Sequence, residues 1–430
     1  MMVMRTLIRQ TAFLSASHFV VRLAGFILRI WLSRELGAQA MGLVELTGSM
    51  QMLLITPVIS GLPAAVSRMC AKAEPTQRVR IVRTGAALAL GTSLPIAMLA
   101  LMLRAPLAQW LGDVRVLPAL LCYLPCIPVL GVSCVLNGYH YGSGQPVPPA
   151  LSEMLEQFIR LLLCVRLVSL LKSWPPSLLA AIPGAAALAG ETAGLLLMLT
   201  LSCRMLLFEK GTGSRRAILA ELLSLALPLT GMKLVTSLMR TVNTALIPAR
   251  LQVSGLSSAE SLAQLGMMNG MMMPILMIPS FITCSLCMVA SPELTRRQAQ
   301  GKPLRTLSSK ILGTSFLIGL TAMAGVFLFA PVIAGTLYRK PELLPLLRRS
   351  CLLVPVMALV QVCGGMMNGL GLQGTSLRIA VSANLLSVCL AYVLAAQPGL
   401  RLWGAVIAMA CGQLLTLALS LRALRRAASG

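Results

Sequence analysis

Four cations stand where a bilayer-spanning segment should be apolar, and they recur at one spacing. Arg22 and Arg29 lie in FLSASHFVVRLAGFILRIWLSRELG (13–37), and Lys233 and Arg240 lie in the apolar stretch 217–248. A step of seven turns a helix by roughly 700°, so each pair faces nearly one side. A cation at mid-membrane costs a few kcal/mol or more unless it meets protein, water or an anion. The chemistry open to such fixed charges is anion binding, because guanidinium forks take phosphate oxygens two at a time. Arg22, Arg29, Lys233 and Arg240 are therefore the candidate substrate-binding cations of a wet cavity. Arg29 and Arg240, nearer the outer end, also suit snorkelling to headgroups.

A second polar set lies in ALSEMLEQFIRLLLCVRL (150–167), where Glu153, Glu156 and Arg160 fall at i, i+3 and i+7 on one stripe, with Gln157 beside them. These residues either line a polar path that pairs with the arginine helices or binds a coupling cation, or form an idle intrahelical Glu156–Arg160 pair. Glu191 lies deeper and has no cation nearby in sequence. It is the favoured proton-carrying group, with a packed structural glutamate as the alternative. Asn137, in a Leu-Asn-Gly run, completes the candidate polar lining.

Elements that could position these residues are long helices. The chain has 430 residues, 57% hydrophobic and 11% charged, against about 25% charged in soluble domains. The expected class is an all-α polytopic membrane protein. The formal charge of +24 fits cationic loops that orient helices and meet anionic headgroups, and aromatics interleaved with basic residues are too few for nucleic-acid binding. One aspartate, Asp113, and two histidines, His18 and His140, speak against a hydrolytic metal site, a triad or a carboxylate pair. The sequence accordingly predicts no enzyme, no catalytic residue, no metal site and no cofactor. Cys284 and Cys287 form a CxxC without a second pair, and the twelve cysteines read as small apolar filler. No cleavable signal peptide is evident.

Apolar runs of about 20 residues mark spans. Twelve are expected, near 13–32, 43–66, 84–103, 116–136, 150–171, 178–201, 217–248, 262–289, 311–337, 343–367, 376–396 and 402–421. With the N-terminus inside, one side holds 20 Lys/Arg and the other 10, which predicts both termini in the cytoplasm of a plasma-membrane protein. The polar break at 201–217 divides the chain into an N-terminal lobe (1–203), a linker (204–216) and a C-terminal lobe (217–430), six spans each. Two local likenesses suggest duplication: Asn137-Gly138 matches Asn368-Gly369, and 63–68 (PAAVSR) matches 291–296 (SPELTR). Six spans is even, so the lobes would relate by a pseudo-twofold axis along the membrane normal, with a cavity between them. Pro57, Pro63, Pro125, Pro128, Pro228, Pro274 and Pro279 read as bending points or static kinks. The methionine run 266–273 reads as adaptable apolar surface, facing lipid or filling a core.

Arg22-Leu23-Ala24-Gly25-Phe26, Leu32 to Ala38, Met41-Gly42-Leu43, Gly61 to Arg68, and Asn137 to Arg160 together resemble the stage V sporulation protein B group. That group is in the polysaccharide transporter branch of the multidrug/oligosaccharidyl-lipid/polysaccharide flippases. The resemblance implies two six-helix lobes, alternating access and a polyprenyl-linked sugar as cargo, such as a lipid II-like peptidoglycan precursor. More distantly the chain resembles lipid II flippases, where Arg22 would match a first-helix cavity arginine. It departs from them in lacking buried arginines in the second and eighth spans and in having twelve spans instead of fourteen.

The expected partners are thus a lipid-linked saccharide, membrane lipids and a coupling ion (H+ or Na+) or the membrane potential. A cation-coupled multidrug exporter is the alternative within transport, disfavoured because aromatics are only 4% and arginine dominates the interior. A membrane enzyme acting on lipid-linked sugar would need an acid or base in an outside loop. Only Asp113, Glu35, Glu260 and Glu342 are available there, in no recognisable motif. A cell-wall scaffold without transport is a fourth reading.

Overall fold

In a bilayer every backbone N–H and C=O must find a partner within the chain, which leaves helices as the solution for apolar runs of this length. The computed structural model describes residues 2–208, 211–300 and 302–429; Glu209 and Lys210 of the predicted linker lie outside the described residues. The described residues form helices and no strand. In order they are α1 (Met2–Ile59), α2 (Leu62–Lys72), α3 (Pro75–Met102), α4 (Arg104–Trp110), α5 (Leu117–Tyr123), α6 (Cys126–Gly142), α7 (Val147–Leu170), α8 (Pro176–Leu179) and α9 (Ile182–Phe208). Then follow α10 (Arg215–Val253), α11 (Ser258–Leu265), α12 (Met273–Leu276), α13 (Pro279–Ala299), α14 (Arg305–Val332), α15 (Leu343–Ser350), α16 (Val354–Gly369), α17 (Gln373–Leu394) and α18 (Leu402–Ser429).

Among the described residues, eight helices are long and apolar enough to cross a membrane, or ten if each bent pair is one span. The difference from twelve has two sources. The first two expected spans lie in one helical stretch, 16–72, and α7 carries Glu153, Glu156, Arg160 and Arg166. Within that stretch Gly37 breaks the helical backbone at φ 78°, ψ 171°, a conformation that favours glycine. Two of the expected bending prolines sit at real bends. Pro125 lies at the 40° bend before α6, and Pro279 opens α13 after a 53° bend. Pro57 stays within α1.

The chain forms two compact units: Met1–Leu36 with Leu46–Thr241, and Gly37–Glu45 with Val242–Gly430. Residues 217–241 thus cluster with the first unit. Gly61 lies against Ala226, and the Thr241 hydroxyl donates to the Ser49 carbonyl at 2.8 Å. In the first unit α2 and α3 pack on α6, α6 on α9, and α9 on α7. In the second, α13 and α14 pack on α16, α16 on α18, and α18 on α17. The two packing schemes are identical under the order α2, α3, α6, α7, α9 against α13, α14, α16, α17, α18. The two sequence likenesses meet at matching points of that scheme. A Cβ on Gly138 would lie 2.6 Å from the Pro63 carbonyl oxygen, and one on Gly369 would lie 2.5 Å from Ser291 Oγ.

Each unit buries its own core. Val66, Val79, Val82, Val135, Leu136 and Met198 fill the first; Leu294, Ile311, Val362, Met366, Met367 and Leu424 fill the second. Met268, Met271 and Met272 are buried in a π-helical turn, Gly266–Met272, so the methionine run fills a core. All twelve cysteines are unbridged, Cys284 and Cys287 on α13 included.

Candidate functional site

Helix α7 carries its polar stripe between α1 and α9. Pro148 and Pro149 sit in its first turn, where a missing N–H costs nothing, and Ser152 to Arg160 follow on the next two turns. Toward α1, Glu153 Oε2 meets His18 Nδ1 at 3.0 Å, with both side chains about one-third exposed. Arg22, one turn on, acts electrostatically on the same carboxylate. Toward α9, Arg160 Nη2 donates to Glu191 Oε1 at 2.8 Å, and the Glu191 side chain is only 11% exposed. Arg160 thus pairs with Glu191 and not with Glu156, one of the two readings of this stripe, and supplies the cation that Glu191 lacks in its own sequence neighbourhood.

Glu156 lies between these pairs. Its Oε1 accepts from the Ser152 hydroxyl at 3.1 Å, and among the described residues no cation is within ion-pair reach of it. Glu191, Arg160 and Glu153 all act on it electrostatically. Two glycines on α9 set its depth. A Cβ on Gly190 would fall 2.7 Å from the Glu156 carbonyl oxygen, and one on Gly194 would collide with the Glu156 carboxylate. The G-x-x-x-G spacing of 190–194 is what lets the α7 and α9 backbones approach. That spacing and His18 were legible signals that the sequence expectations did not use.

The remaining predicted residues distribute as follows. Gln157 is buried, with its Nε2 near Gly25 of α1 and without a hydrogen-bond partner. Asn137 is half-buried on α6, its Oδ1 enclosed and likewise unpartnered. Arg22 is exposed and Arg29 partly buried on α1, while Lys233 and Arg240 are exposed on the first-unit part of α10. Thus α1, α7 and α9 gather Arg22, Glu153, Glu156, Gln157, Arg160 and Glu191 into one cluster, while Asn137 stands on α6 and Lys233 and Arg240 on α10. A separate cavity of about 260 Å³, lined by Lys72, Gln77, Thr212, Ser214 and Glu221 among others, lies at the ends of α2 and α10. Among the described residues no three His, Cys, Asp or Glu side chains are placed to hold a metal ion.

Chemically, the cluster is one ion pair, Arg160–Glu191, and one imidazole–carboxylate contact, His18–Glu153, on either side of a carboxyl that has no basic partner. Such a carboxyl can exchange a cation with water without first giving up a salt bridge.

The fold is that of the transporters of the multidrug/oligosaccharidyl-lipid/polysaccharide superfamily. An inward-facing multidrug resistance MATE family transporter superposes with a TM-score of 0.74 at 18% identity, covering 95% of each chain. The lipid II flippase MurJ in an inward closed conformation gives a TM-score of 0.74 at 10% identity, covering 96% of this chain and 87% of that one. The protein belongs to the polysaccharide biosynthesis protein family, whose model matches residues 7–298, and the MatE family model matches residues 232–393. Stage V sporulation protein B of Bacillus subtilis (strain 168) is 26% identical over 432 residues, covering 96% of this chain and 82% of that protein. Sporulation protein YkvU of the same organism is 22% identical, covering 96% and 93%.

Proposed function

We propose that the protein moves a polyprenyl-pyrophosphate-linked saccharide across the plasma membrane by alternating access, with both termini in the cytoplasm. One observation carries this reading: the polysaccharide biosynthesis match spans residues 7–298, and inside it lies a charged cluster set among membrane helices. The likeness to the lipid II flippase supports a lipid II-like peptidoglycan precursor as cargo, and the sporulation relatives support a role in spore cortex or cell-wall synthesis. Arg22, Arg29, Lys233 and Arg240 are the cations proposed to receive the diphosphate.

Coupling is assigned to Glu156 rather than Glu191. Glu191 is committed to Arg160, whereas Glu156 is free to take up a proton, or Na+, as access alternates. The membrane potential acting on the diphosphate is the alternative driving force.

Reconstitution with fluorescent lipid II tests this. Headgroup access from the far side of the vesicle is expected for the wild type and is expected to be lost in Arg22→Ala. No movement of any lipid-linked sugar would overturn the reading, and a covalent change in the lipid would make the protein an enzyme. A multidrug exporter, the reading favoured by the likeness to the MATE transporter, would instead move organic cations in the same vesicles.

A further inference from the structure

In the second unit three arginines are each held over an aromatic ring. Arg250, near the end of α10, has its guanidinium carbon 3.9 Å from the Tyr392 ring centre, and its Nε donates to the Tyr392 carbonyl at 2.9 Å. On α15, Arg349 stands 4.9 Å over Trp403 and Arg348 stands 5.5 Å over Phe327. Among the described residues these are the cation–aromatic pairs of the chain. The spans α10, α11–α13, α14, α15–α16, α17 and α18 alternate in direction, so the α10–α11, α14–α15 and α17–α18 turns reach one membrane face. The three pairs sit around those turns.

Two further arginines lie in the same turns under backbone strain. Arg339 (φ 52°) and Arg401 (φ 47°) are the described non-glycine residues with positive φ. An L side chain holds that conformation only where its surroundings impose it. Two carboxylates, Glu260 and Glu342, stand in or beside these turns against six Lys and Arg. Arg401 acts electrostatically on Glu260, whose carboxylate already accepts from the Ser257 amide and hydroxyl at 2.9 and 2.7 Å. No carboxylate is within ion-pair reach of Arg250, Arg348 or Arg349 among the described residues. The corresponding turns of the first unit differ, because there Arg115 is paired with Asp113 at 2.7 Å and Lys172 with Glu35 at 2.8 Å.

An arginine laid on a ring keeps its in-plane N–H edge open to an oxyanion. The neighbouring helix ends expose apolar side chains: Leu328 (71%), Phe329 (62%) and Val393 (56%). Cations above exposed hydrocarbon fit an amphiphile with a phosphate head better than a soluble acidic polymer. On the orientation proposed above, this face is non-cytoplasmic, where Lys and Arg are disfavoured, so their retention there asks for a role. We propose that this face of the second unit is a seat for the phosphates of acidic phospholipids, with Arg250, Arg348 and Arg349 as the phosphate ligands.

The proposal is tested by binding and does not need transport, so it can fail separately from the flippase reading. Trp31, Trp110 and Trp174 are changed to Phe, leaving Trp403 beside Arg349 as the reporter. The protein is placed in bilayers containing either brominated phosphatidylglycerol or brominated phosphatidylcholine. Stronger quenching by phosphatidylglycerol is expected, with the preference falling about fivefold for each arginine removed in R348Q, R349Q and R250Q. R349K should keep most of the preference, and R115Q all of it. Equal quenching by the two lipids in the wild type, or a preference that survives the triple variant, overturns the proposal. If the triple variant does not purify folded, a salt titration of the wild type decides, because a phosphate seat must lose its preference as ionic strength rises. Displacement by a polyprenyl diphosphate with no phosphatidylglycerol preference would also overturn it, and would give the surface to the exported lipid.

Discussion

The α7–α9 pair of the first unit and the α17–α18 pair of the second occupy the same place in one packing scheme, yet they differ in kind. Between α7 and α9 lie Glu156, Arg160 and Glu191. Helices α17 and α18 contain no Asp or Glu at all. Their polar groups serve themselves: the Asn384 amide donates to the Ala380 carbonyl at 2.8 Å, and the Thr416 hydroxyl to Gly412 at 2.8 Å. A duplicated scaffold therefore needs no carboxylate at this contact. Charge in the first unit is an addition that packing does not explain, and that is the reason to look for function there.

Breaking the Arg160–Glu191 pair should have the largest effect. Arg160→Ala leaves a buried carboxylate unpartnered and is expected to cost about 3 kcal/mol, read from the denaturant midpoint in detergent. Adding Glu191→Gln should recover most of it, and Asn384→Ala in the second unit should cost under about 1 kcal/mol. If both single variants cost the same, the contrast between the units is lost. Next comes Gly194→Ala. Its new methyl must displace the Glu156 carboxylate, and overpacking of this kind costs about 2 kcal/mol. Gly412→Ala on α18 has more room, its Cβ meeting Ser387 Cβ at 3.1 Å, and should be milder in the same unfolding assay.

Glu156→Gln sharpens the comparison without touching stability. It keeps the shape and the Ser152 contact, so the midpoint should hold while headgroup translocation driven by an ion gradient falls tenfold or more, about 1.4 kcal/mol in rate. An unchanged rate would return the coupling role to Glu191 or to the membrane potential. The smallest effect belongs to His18→Gln. That pair is about one-third exposed and should contribute under about 1 kcal/mol, so a larger loss of stability would mean that it anchors α1 to α7.

Much of the fold is legible in the chain because apolar length, loop charge and turn residues are local properties. The Asn-Gly repeat was a sound guide, since Gly138 and Gly369 each abut a matching helix. Helix bends were legible at Pro125 and Pro279 but not at Gly37, whose neighbours read as an ordinary interruption between spans. The candidate site was legible as a list but not as a set of pairs. Glu156 and Arg160 are four apart on one helix and suggest each other, yet Arg160 turns to Glu191, 31 positions away.

The sequence by itself determined that the protein is a helical membrane bundle, since hydrocarbon leaves a long apolar run no other way to satisfy its backbone, and it suggested a duplication through two short likenesses. It also determined which side chains carry charge into that bundle. Only the tertiary structure decided which charges meet, which carboxyl stays unpaired, and that Arg250 lies on Tyr392, 142 positions away. Those outcomes depend on how closely two helices approach, and at α7 and α9 that distance is set by Gly190 and Gly194, residues that bear no charge themselves.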